Sequence, residues 1–119
     1  MAINSDFRGR LTEAAVGALR IVKSGSAAGT CILASAATDL LLGTSDELAH
    51  ATGEVVDIAV GPVPKVVLGG TVAVGVWLTS DASGAAIATT ITGNRVIGYA
   101  EVAGVAGDVI TYHRAPGQL

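Results

Sequence analysis

From residue 18 onward, apolar and polar positions alternate with a period close to two, and glycine cuts the alternation at short intervals, the pattern of short strands joined by tight turns. Leu19 and Ile21 set against Arg20 and Lys23 predict a first strand, closed by the turn Ser24-Gly25-Ser26-Ala27-Ala28-Gly29, and residues 30–34 predict the returning one. Leu40-Leu41-Leu42-Gly43 reads as a short buried strand, after which Thr44-Ser45-Asp46-Glu47 has the form of a capping box opening one helical turn through His50. Residues 54–60, then Gly61-Pro62-Val63-Pro64, then residues 65–68 give strand, turn and strand, either a hairpin or a sharp corner, with both prolines kept out of a ladder interior. Gly69-Gly70 is a further turn, residues 72–78 an apolar segment, Asp81-Ala82-Ser83-Gly84 a tight turn, and residues 86–92 the answering strand. In residues 95–102, Val96, Gly98, Ala100 and Val102 alternate with Ile97, Tyr99 and Glu101; Gly104-Val105-Ala106-Gly107 then leads to residues 108–113, and the two strands make a natural antiparallel pair. Residues 114–119 read as a short tail. Such spacing predicts an all-β sandwich or small barrel.

Residues 1–17 differ. They carry Arg8, Arg10 and the only Phe, with no long apolar run, and are expected to form an extended N-terminal arm ahead of a single β domain over residues 18–119. A chain of 119 residues buries about two-thirds of its extended surface on folding, enough for an independent core. Half of the residues are hydrophobic, but only 3% are aromatic, so the core should be built from small side chains. Charged residues are 14% of the chain, well below the ~25% of an ordinary soluble domain. An apolar, sparsely charged exterior is what a partner covers, so the composition points to an oligomer or shell component. A net charge of −3 leaves no electrostatic footprint for nucleic acid or for an anionic membrane. No apolar run approaches the ~20 residues of a spanning helix, and the polar N-terminus lacks a secretory apolar region, so synthesis in a cytoplasm is expected. The single cysteine, Cys31, lies in an apolar run and reads as a buried thiol.

Candidate chemistry is sparse. The loop Gly25 to Thr30 lacks the length and lysine of a phosphate cradle, and neither a dinucleotide fingerprint nor a nucleophile elbow is present. Glu47 and His50 have a helix-face spacing found in metal sites, but one turn cannot supply the four helices such a site draws on. Asp39, Asp46, Glu47, Glu54 and Asp57 lack the spacing of a calcium loop and read as solvated turn residues. His113 reads as an edge or interface residue. Trp77 reads as a core or subunit-contact residue, because a sugar-stacking platform usually needs more than one exposed ring. No enzymatic activity, cofactor or metal is expected.

Several segments in order resemble a known family: Ala37-Thr38-Asp39-Leu40 to Gly43-Thr44-Ser45-Asp46, Gly53-Glu54-Val55-Val56-Asp57, Gly69-Gly70-Thr71-Val72-Ala73-Val74-Gly75, Leu78-Thr79-Ser80-Asp81-Ala82-Ser83-Gly84, Val96-Ile97-Gly98-Tyr99-Ala100-Glu101 and Gly107-Asp108-Val109-Ile110. Together they resemble the small capsid decoration, or cement, proteins of tailed bacteriophages, over about residues 18–117. The resemblance implies a compact β-tulip fold, a homotrimer on the outer surface of the phage head, the major capsid protein as partner, and no catalytic site. Residues 1–17 match this pattern less well. The arm, with Ile3, Phe7, Arg8, Arg10 and Leu11, is the expected capsid contact, ordering on the shell by adding a strand to an open sheet edge. The reading from another class is a carbohydrate or cell-surface binding β module centred on Trp77.

Overall fold

The computed structural model describes residues 7–59 and 61–119, and these are all-β. The described strands are β1 (Phe7–Thr12), β2 (Ile21–Ser24), β3 (Thr30–Leu33), β4 (Leu41–Ser45), β5 (Val55–Ala59), β6 (Lys65–Val67), β7 (Trp77–Ser80), β8 (Ala86–Thr89), β9 (Arg95–Ala100) and β10 (Val109–Gln118). The first five close into a barrel in the order β1-β3-β2-β4-β5; the last five form an open sheet in the order β6-β10-β9-β7-β8. Each of β2 to β10 overlaps a strand read from the sequence, although β7 begins only at Trp77 and runs to Ser80 where the sequence predicts residues 72–78; the pairing of the last two strands holds, with Tyr112 opposite Ala100 and His113 opposite Tyr99.

The N-terminal segment is placed differently from the expectation. From Phe7 it is not an arm outside the domain but the strand that closes the barrel, antiparallel to β5 through Phe7↔Ala59 to Leu11↔Val55 and parallel to β3 at Leu11↔Thr30. Beyond it, Val16 is buried and exchanges backbone hydrogen bonds with His50. The arm reading failed because every partner of β1 lies far along the chain, and a six-residue strand with glycine at its centre carries little local alternation.

Three smaller differences have local causes. The helical turn after Leu42 does not form: Thr44 and Ser45 belong to β4 and are buried, so no free cap exists. The corner at residues 61–64 is a corner and not a hairpin, since β5 pairs within the barrel and β6 pairs with β10. Its prolines offer carbonyls where they cannot donate, accepting the N–H groups of Arg114 (from Pro62) and Tyr112 (from Pro64), both at 3.0 Å. The tail at residues 114–119 is instead the continuation of β10, which resumes pairing at Gly117↔Val96 and Gln118↔Arg95 after a bulge. Pro116 sits inside that bulge, where no ladder donor is needed.

The core has two parts. Val16, Val22, Cys31, Val56 and Ile58 fill the barrel. Ile21 and Leu41 on the barrel meet Val66, Leu68, Leu78, Ile97, Ile110 and Tyr112 on the sheet side. Burial pushes the Cys31 thiol pKa up, as expected of an inert core cysteine. The two parts are stitched by Tyr112, whose hydroxyl meets the Thr44 hydroxyl at 3.1 Å with both residues fully buried.

Candidate interaction surface

The residues singled out for partner contact fall on β1, with the exception of Ile3, which lies outside the described residues. Phe7 and Arg8 stand opposite Ala59 and Ile58. Arg10 and Leu11 are consecutive on the strand and so point to opposite faces. Arg10 is half-buried opposite Val56, and its guanidinium donates to the Thr30 carbonyl at 3.3 Å. Leu11 faces out, 45% exposed, opposite Val55 at 62%. The barrel exterior therefore carries an apolar pair, of which the sequence reading singled out Leu11 and not Val55.

A second feature is a cleft of about 570 Å³ between the barrel and the corner, walled by Leu19, Leu48, Val63 and Pro64, with Asp46 and Lys65 also lining it. Leu19 holds a left-handed conformation at φ 55°, pinned by its N–H on the Asp46 carbonyl and by the Val67 N–H on its own carbonyl. Partial burial works against the charge of Asp46. The Leu48 N–H, the His50 ring and the Asp57 N–H outweigh it and hold the carboxyl below its usual range. Glu47 and His50, paired in the sequence reading, are separated here: Glu47 meets Lys65 at 3.3 Å, while His50 lies between Asp46 (2.9 Å) and Glu54 (3.5 Å). Asp39 accepts the Ser35 and Ala36 N–H groups and pairs with Lys23 at 3.1 Å. Asp39, Asp46 and Glu54 thus act as turn residues, accepting nearby backbone N–H groups, whereas Asp57 lies within β5 opposite Gly9. Among the described residues, no group of three or more His, Cys, Asp or Glu is arranged to hold a metal ion, and no helix is long and apolar enough to cross a membrane.

The third feature is on the open sheet. Trp77 is not a core residue: it is 38% exposed on β7, directly opposite Tyr99 on β9, which is directly opposite His113 on β10. The Trp77 and Tyr99 rings meet edge to face at 5.6 Å, and Tyr99 stacks on His113 at 5.0 Å. Glu101 accepts from the Thr111 hydroxyl at 3.1 Å and pairs with His113 at 3.1 Å. Sequence reasoning saw each ring alone, because only the strand order brings together three residues so far apart in the chain. Nearby loops add Val74, Val102 and Val105, all exposed, on two segments tied by the Val72 and Gly104 backbone groups.

No protein-family model matches the chain, and no curated protein matches it in sequence. Among solved structures, the head fiber gp8.5 N base in bacteriophage phi29 is similar with a TM-score of 0.74 at 19% identity, over 95% of this chain and 96% of that one. At that identity the likeness is one of fold, and it runs through the barrel and the sheet alike.

Proposed function

We propose that the chain is a head decoration (cement) protein of a tailed bacteriophage, binding the outside of the capsid as a homotrimer and steadying the lattice against the pressure of packaged DNA. The observation that carries this reading is the near end-to-end likeness of fold to a phage head fiber base, over 95% of this chain and 96% of that one. The apolar exterior supports it. Leu11 with Val55, Leu48 with Val63, and Val74 with Val102 and Val105 are spread over the barrel and the sheet, as needed for contacts with both sister copies and a shell.

The mechanism requires no chemistry. A protein that binds the assembled lattice and not free subunits stabilises the lattice by mass action, about 2.7 kcal/mol per site at a hundredfold excess over Kd. Three identical contacts in one trimer raise avidity by ~10² to 10⁴, so each can be weak. On β1, the outward Leu11 beside Val55 is the proposed capsid contact, with Arg10 holding the strand to β3 from the other face. Removal through residue 12 deletes a barrel strand.

The test is co-sedimentation of the purified protein with mature heads of its phage. The full chain is expected to pellet saturably with heads, and Leu11→Asp to weaken that binding about tenfold or more while melting normally. Absence of the protein from the pellet at every concentration overturns the reading.

A further inference from the structure

We propose that the row Trp77, Tyr99 and His113, flanked by Glu101, is a binding site for a neutral pyranose sugar. The inference does not depend on the head-decoration reading. Three rings from three adjacent strands stand side by side in register. Because β9 lies between β10 and β7, Tyr99 is stacked on His113 on one side and set edge to face with Trp77 on the other, so the three rings brace one another. The indole is turned 81° to Tyr99, and 38% of the residue is open to solvent. An aromatic face attracts the C–H groups that line the flat side of a pyranose ring, since its quadrupole is negative where those hydrogens are positive.

Polar groups lie at the same level. Glu101 and His113 are 39% and 43% exposed and 3.1 Å apart, with the Thr111 hydroxyl on the other carboxylate oxygen. A carboxylate, an imidazole and a hydroxyl beside stacked rings can accept from and donate to sugar hydroxyls. The carboxylate, on a chain of net charge −3, disfavours acidic sugars. A protein partner pressed onto the row would have to desolvate the Glu101–His113 pair, a cost that a hydrated glycan avoids. The platform is also rigid: the neighbouring residues Leu78, Ala100 and Tyr112 on the same strands are packed in the core, so little ordering is lost on binding.

Trp77 is the one tryptophan of the chain, so its emission reports on this site alone. Titration of the full chain with cellohexaose and with chitohexaose is expected to give a saturable change in Trp77 emission with at least one of them. Tyr99→Ala is expected to lower the association constant about tenfold or more, with an unchanged far-ultraviolet spectrum. Should Tyr99→Ala fail to fold, Glu101→Gln, which removes the charge and keeps the shape, carries the same expectation. Flat emission with both sugars into the millimolar range overturns the proposal, as does binding that both variants retain in full. It is equally overturned if Trp77→Ala breaks up an oligomer while the unmodified chain ignores both sugars, which would make the row a subunit contact.

Discussion

Glu13 shows how much one side chain can organise. Its carboxylate accepts the Ser26 N–H at 2.9 Å, the Ser26 hydroxyl at 2.8 Å, the Thr30 hydroxyl at 2.8 Å and the Ala27 N–H at 3.2 Å, fastening the turn between β2 and β3 to the segment after β1. These donors, the Ser26 N–H first, lower its pKa from an ordinary 4.5 to about 2. A carboxyl depressed in the folded state contributes stability that is present above pH 4.5 and lost as pH falls from 4.5 through 2. Glu13→Gln is therefore expected to lower the melting temperature at neutral pH, with the difference from the unmodified chain closing over that acid window. A difference independent of pH would contradict the assignment. Gly98 carries a different constraint. It sits in the interior of β9 at φ 150°, and a Cβ there would fall on the His113 carbonyl of β10. Gly98→Ala combines strain with overpacking and should cost about 3 to 5 kcal/mol in urea unfolding, a large share of a small domain's stability.

At the scale of elements, the join between barrel and sheet is the critical contact. Tyr112 on β10 and Thr44 on β4 share a hydrogen bond in a fully buried setting, and burial first of all pushes the phenol pKa up to about 12. Tyr112→Phe leaves the Thr44 hydroxyl buried and unpaired, at a cost of about 1 to 3 kcal/mol, whereas adding Thr44→Val should restore part of the loss. The raised phenol pKa also means that stability present below pH 10 is lost as pH climbs from 10 through 12, a fall that the Phe variant should show less steeply. The legible parts of the fold were those with local signals. Glycine turns and two-residue alternation located β2 to β10, and Asp81-Ala82-Ser83-Gly84 was read correctly because its aspartate caps its own turn, accepting the Ser83 N–H at 2.8 Å. What stayed hidden was non-local. β1 owes its place to β3 and β5, the last part of β10 continues past a proline-bearing bulge, and the aromatic row exists only through strand order. The same holds for the candidate site: Leu11 was named from the sequence, but its neighbour Val55 and the partners of Trp77 were not.

For the molecule as a whole, the distribution of apolar surface is the main clue. Among the described residues, exposed Leu and Val side chains occur on the barrel, at the cleft and on the sheet loops. A single strong dimer interface would gather them, while a trimer that also touches a shell divides them. Sedimentation equilibrium of the free protein is expected to give three times the chain mass, and Val74→Asp with Val105→Asp to shift that value toward one if the sheet loops join the copies. The most direct measurement of the account is an electron cryomicroscopy reconstruction of mature heads of the phage, with and without added protein. The account predicts added density on the outer surface, three-lobed and large enough for three of these domains, each with its barrel-borne Leu11 face toward the shell. Identical reconstructions at saturating protein would contradict it.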